Sequence, residues 1–242
     1  MFLAGVRGPP PDDYRSVAIA ALNALSLLMI LTRREAITAT CIMVSGGLAG
    51  CTGNDDGVIE FTEDFEDELS GWETASHIGP EAFDEFDWSI ERSQEEARSG
   101  DWSLAIYTEG RFDDGTAWIV RPISVTPGHR YEVAATLYAW SRDESFNVVR
   151  HLVAFFGEFR PAVEEDFPPP GVNTTDFVNA PIGGFREPLD LAPGWREYGF
   201  EWITPRLERE EVYFAVGISV VWEADRTHFI DNITLRLTPL ED

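Results

Sequence analysis

Beyond residue 58 the chain alternates apolar and polar positions in short runs separated by turn residues. A period of two is the signature of strands that bury one face. Phe61 and Phe65 alternate with Thr62 and Asp64. Between Trp102 and Thr108, the side chains of Trp102, Leu104, Ile106 and Thr108 fall on one face. Residues 116–125 are rich in strand formers, and Pro127-Gly128 then makes a turn. Tyr131 to Trp140 is the cleanest central strand. Tyr131, Val133, Ala135, Leu137 and Ala139 form one face, and Glu132, Ala134, Thr136, Tyr138 and Trp140 form the other. Val148 to Phe156 is apolar on both parities apart from Arg150 and His151, which predicts a strand covered on both sides. Arg196, Tyr198, Phe200 and Trp202 alternate with Glu197, Gly199 and Glu201. Phe214, Val216, Ile218, Val220 and Trp222 share a face within Val212–Trp222, whose β-branched content favours a strand over a helix. In the last segment, Ile233, Leu235 and Leu237 turn inward, and the same count places Asp231 inward with them.

No run of helical period competes with these segments. Many short strands with Gly/Pro-rich turns predict an all-β sandwich of two antiparallel sheets, in one domain over 58–242. Residues 157–194 differ. They hold seven prolines around Pro168-Pro169-Pro170-Gly171, too long for a turn, and read as a long loop pinned by Phe177, Phe185 and Leu189. Residues 80–85 read as a short turn.

Charge changes the picture next. The chain of 242 residues carries 43 acids against 18 basic residues, for a formal charge of −25. Every basic residue is arginine and lysine is absent. With 44% apolar and 12% aromatic residues a packed core is available, so disorder is set aside and the acids are expected to clothe the surface. Such a surface repels nucleic acid and anionic headgroups. Molar salt, with a Debye length of about 3 Å, removes most of the self-repulsion. The pattern resembles proteins of salt-in halophilic archaea; an isolated acidic protein from a low-salt organism is the other reading.

The first 50 residues read as targeting rather than fold. Met29 reads as the true start, with residues 1–28 upstream of it. Arg33-Arg34 precedes an apolar stretch that ends in Leu48-Ala49-Gly50-Cys51. This resembles a twin-arginine signal peptide over 29–50 with a lipobox, which implies a lipid on Cys51, a tether over 51–57 and attachment to the outer face of the cytoplasmic membrane. A helical hairpin or uncleaved anchor over 17–48 stays open. The other cysteine, Cys41, would leave with the signal, so the mature domain has no disulfide.

Several segments, in order, resemble galactose-binding-like jelly rolls, including carbohydrate-binding modules of that type. They are Phe65-Glu66-Asp67 with Gly71-Trp72, the run Ala97 to Leu104, Val125 to Tyr131, Gly194-Trp195-Arg196-Glu197-Tyr198 and Phe229 to Leu235. Glu68 stands where that family's opening motif has glycine. The resemblance covers about 58–238 and implies a jelly roll and a non-catalytic carbohydrate- or glycan-binding role. It also implies a structural Ca²⁺ held by Glu66 and Asp231 with oxygens of Ser99 or Gly100. For Asp231, pairing with Arg226 or His228, or acceptance of backbone N–H groups, remains the alternative. Tyr138 and Trp140 are the candidate sugar platform, with Glu132 and Tyr107 beside them and Trp118 as a possible neighbour. The competing reading buries these rings under the 157–194 loop, in a structural or protein-interaction domain. A substrate-capture protein for a transporter is a third reading.

No nucleophile elbow, phosphate loop or zinc motif occurs, and His77, His129, His151 and His228 are scattered, so no enzyme is expected. A His228–Asp231 dyad is the one pairing worth locating. Sequons fall at Asn173, a glycosylation candidate in the long loop, and at Asn232 in a predicted strand.

Overall fold

A computed structural model describes residues 52–53, 57–79, 86–111, 115–142, 150–176, 180–189, 191–220 and 224–241. The targeting region, Cys51, residues 80–85, Phe177 and Trp222 lie outside the described residues.

The architecture is the expected all-β jelly roll of two antiparallel sheets. The strands are β1 (Thr52–Gly53), β2 (Ile59–Glu63), β3 (Glu73–His77), β4 (Trp88–Ser93), β5 (Ser103–Thr108), β6 (Thr116–Ser124), β7 (Arg130–Ser141), β8 (Arg150–Gly157), β9 (Gly183–Pro188), β10 (Gly194–Ile203), β11 (Glu211–Val220) and β12 (Arg226–Leu240). The seven-stranded sheet is built around β12. On one side β12 pairs first with β5 and then with β2; on the other it pairs with β7, which carries β10. The second sheet runs β3-β6-β11-β8-β9.

The core lies between the sheets and follows the alternation. Val133, Leu137, Phe214, Val216, Ile218 and Leu235 are fully buried in it, each contributing roughly 1.5–3 kcal/mol by leaving water. Strand β8 is buried at every position, because its second face is also covered.

The cover comes from the long segment. Phe167 packs edge-on against Trp118 at 5.4 Å and near Phe155 at 6.1 Å, making a second small core on the outer face of the five-stranded sheet. Asp166 accepts the Ala162 and Val163 N–H groups, closing a 3₁₀ turn over Glu164–Asp166. The segment is not all loop: 183–188 forms β9, with Phe185 buried in the main core and Leu189 just after it. The edge strands β3 and β4 are also additions to the expected set. Thr52 and Gly53, expected in the tether, pair with Glu60 and Ile59, using backbone groups that the edge strand β2 leaves open.

Candidate functional site

The outer face of the seven-stranded sheet carries the predicted aromatics. Register sets Trp195, Trp140, Phe229 and Ala105 in one row across β10, β7, β12 and β5. Glu197, Tyr138 and Asp231 form the next row. Trp140 and Trp195 are half-buried. Trp140 meets the buried Phe229 ring edge-on at 5.5 Å. Tyr138 donates its hydroxyl to the Glu197 carboxylate, and that bond, with burial, raises its pKa. The Arg98 guanidinium lies 3.4 Å from the Tyr138 ring centroid, so that ring face is already taken by a cation. Of these three rings, Trp140 and Trp195 are therefore the ones that keep aromatic surface to offer.

Tyr107 shares this face and lines a cleft of about 200 Å³ with Glu95, Arg142, Asp225, Arg226 and Phe229. Burial, then the carboxylates of Asp225 and Asp87, raise its pKa. Glu132 points the same way but stands opposite Ile203 and Thr238. Eight residues at about 3.3 Å each put it about 26 Å along β7 from Trp140. It is not a neighbour of the platform. Trp118 is on the other sheet, 1% exposed beneath Phe167. The sequence reading passed over Trp195 and Glu197, although the alternation of Tyr198, Phe200 and Trp202 already sent both outward.

Asp231 is fully buried, but not in the core. It pairs with Tyr138 on the outer face. A bulge between Asp231 and Thr234, with Asn232 at φ 50°, resets the parity before Ile233 turns inward. The 97–99 backbone covers the carboxylate, which accepts N–H bonds from Arg98 (2.8 Å), Ser99 (3.2 Å) and Asn232 (2.7 Å). Burial raises its pKa against the pull of those bonds. Glu66 accepts the Asp101 and Trp102 N–H groups at 2.9 and 2.8 Å. A Cβ on Gly100 would lie 2.2 Å from the Glu66 Oε1, so the turn needs glycine there. Arg92 donates to the carbonyls of Phe65 (2.7 Å) and Glu66 (2.5 Å) and lies over the Trp102 ring at 4.2 Å.

Glu66, Ser99, Gly100 and Asp231 are thus brought together, as a hydrogen-bonded clasp tying the end of β2 to β12. Calcium takes six to eight oxygen ligands. Here both carboxylates face N–H donors, and the nearby carbonyls already accept from an arginine. A calcium ion seated here would share the two carboxylates with those N–H groups. Melting temperatures measured with and without chelator, at constant ionic strength, test the calcium expectation: coincident curves would remove it, and a fall of several degrees on chelation would establish the metal.

His228 and Asp231 do not form a dyad. His228 faces the interior, its Nδ1 3.3 Å from the Trp140 carbonyl and 3.4 Å from the Ser141 hydroxyl. The Asn173 amide nitrogen donates to Glu187 (2.6 Å) and to the Gly199 carbonyl (2.9 Å), so a glycan on that atom, which leaves it one hydrogen, would displace at least one of the two bonds.

No protein-family model matches the chain, and neither does any curated protein. Solved structures do resemble it. One is a study of promiscuous specificity in carbohydrate-binding modules of the β-sandwich superfamily, 16% identical with a TM-score of 0.42, over 74% of this chain and 60% of that one. A family 61 carbohydrate-binding module in complex with β-1,4-galactotriose is 11% identical with a TM-score of 0.42, over 71% and 92%. An arabinose-bound family 51 α-L-arabinofuranosidase is 14% identical with a TM-score of 0.48, over 76% and 27%. Likenesses at this level concern general shape and do not extend to ligand or activity.

Proposed function

We propose that the domain is a non-catalytic carbohydrate-binding module that receives a glycan on the outer face of the seven-stranded sheet. The observation that carries the proposal is the pairing of Trp140 with Trp195. They are half-buried cross-strand neighbours. The described part of the 157–194 segment covers the other sheet through Phe167 and meets β10 at Gly199, Glu201 and Trp202, four or more residues along the strand from Trp195. Indole faces suit the apolar C–H surfaces of sugar rings. Glu197 and the Tyr107 cleft offer acceptors and donors for ring hydroxyls on either side. The ordered sequence resemblance over 58–238 points the same way.

A glycan screen in molar salt tests this. Wild type is expected to retain a polysaccharide, and Trp140→Ala to lose at least about tenfold in affinity with its melting curve little changed. Unchanged binding in the variant would remove the platform. No ligand across the screen would favour the structural or interaction role. The proposal includes an extracellular setting, with Cys51 lipid-anchored and the acidic surface working in concentrated salt. Cys51→Ser should then move the protein from the membrane fraction to the medium.

A further inference from the structure

The aromatic row on the seven-stranded sheet is open at one end and obstructed at the other. It runs from Trp195 on β10 through Trp140 on β7 to Phe229 on β12. At the open end Trp195 is half-buried on β10, whose ladder partner is β7. At the other end the 94–99 loop, which joins β4 to β5, lies against β12. Three contacts fix it there. The Ser103 hydroxyl donates to the Glu96 carbonyl. The Arg98 and Ser99 N–H groups donate to the buried Asp231 carboxylate at 2.8 and 3.2 Å. The Arg98 guanidinium stands a full layer above the sheet, 3.4 Å from the Tyr138 ring centroid.

Glu95 of the same loop lines the cleft of about 200 Å³, together with Tyr107, Arg142, Asp225 and Phe229. Phe229 joins the cleft to the row, because one ring both lines the cleft and meets Trp140 edge-on at 5.5 Å. The volume is below the range of about 300–1,000 Å³ that encloses drug-sized ligands, so the cleft takes one sugar ring and not a length of chain.

The lining suits such a ring. Burial and the Asp225 and Asp87 carboxylates keep the Tyr107 phenol protonated, so it donates. Arg142 donates as well. Asp225 spends Oδ1 on the Gly110 N–H at 3.2 Å and keeps its other oxygen to accept. Sugar hydroxyls donate and accept at once, and so meet both kinds of partner. A chain laid on Trp195 and Trp140 reaches the loop at β12 and has this cleft to fill. We propose that the site recognises the end of a glycan chain, with the terminal ring in the Tyr107–Arg142 cleft and the following rings on Trp140 and Trp195. This rests on the glycan-binding reading of the Trp140 face and names the part of the polymer that the face takes.

The test titrates linear galactan, linear xylan and linear β-glucan, each beside its own short oligosaccharides, into the full chain in molar salt by calorimetry. For a probe that binds, one module per chain is expected at every length. Tyr107→Phe and Arg142→Ala should each weaken binding about tenfold, the effect of one lost hydrogen bond. The melting curve of Arg142→Ala should stay in place, since that side chain is exposed. Chain-end recognition is overturned if the number of modules per chain grows with chain length, or if both cleft variants bind as wild type, while Trp140→Ala still loses binding. Either result leaves the platform standing as a site for chain interiors. If none of the probes binds, or Trp140→Ala binds as tightly as wild type, the glycan reading falls and chain-end recognition falls with it.

Discussion

Gly184→Ala is expected to cost about 4 kcal/mol or more and to lower the melting temperature by roughly 10 °C. Gly184 sits at φ 136°, where side chains are strained, and a Cβ there would lie 2.0 Å from the Ala154 carbonyl oxygen. The strand cannot simply move aside. The Thr174 hydroxyl holds both the N–H and the carbonyl of Gly184 at 2.9 Å, while Phe155 faces it across the ladder. Gly128→Ala is the control: φ is 82° there too, but nothing lies within 4 Å of the added carbon, so about 1 kcal/mol is expected. Urea unfolding of the two variants beside wild type measures the difference. Equal midpoints for both would refute the clash argument.

The second large effect is acid lability between pH 6.5 and 4. Burial holds both His151 and His228 down to a pKa of about 4, with Arg186 adding to the first and Arg150 and Arg226 to the second. Above the unfolded value of about 6.5 both rings are neutral in either state and contribute no pH dependence. As pH falls through 6.5 the unfolded chain takes up protons that the folded chain refuses. Stability then drops by about 1.4 kcal/mol per pH unit for each histidine, until the folded rings also protonate near 4. Asp231 acts in the opposite sense. Its raised pKa favours the fold at low pH, a contribution lost as pH rises through the folded value, so it offsets part of the fall at the acid end. Urea midpoints at pH 7.5, 5.5 and 4.5, in molar salt to screen the net charge, should decline steeply. A flat series would show that these rings are not held neutral.

Much of the sheet structure was legible because alternation survives wherever one face packs and the other meets solvent. β7 is the clearest case: Tyr131, Val133, Ala135, Leu137 and Ala139 are all buried while Glu132 and Thr136 are exposed. Counting by twos fails where the backbone breaks step. Asp231 was assigned inward because the Asn232 bulge leaves no mark in an apolar–polar pattern. The strands β3, β4 and β9 escaped notice for another reason. They are edge strands, with polar sequences such as Glu73–His77, held largely by ladder bonds. The platform was half legible. Tyr138 and Trp140 take the expected face, but position along a strand decides neighbours, so Glu197 stands beside Tyr138 where Glu132 was expected. The 157–194 segment reaches the five-stranded sheet through Phe167 meeting Trp118 and touches β10 through Asn173 and Thr175, contacts between distant residues that local sequence does not encode.

Strand β12 has a consequence for biosynthesis. It follows β2, β5 and β7 in the chain, and all three pair against it. A ribosome emits those three first, and none can complete its ladder until residues 226–240 have left the exit tunnel. A product stopped short of Arg226 has no seam along which its halves can close.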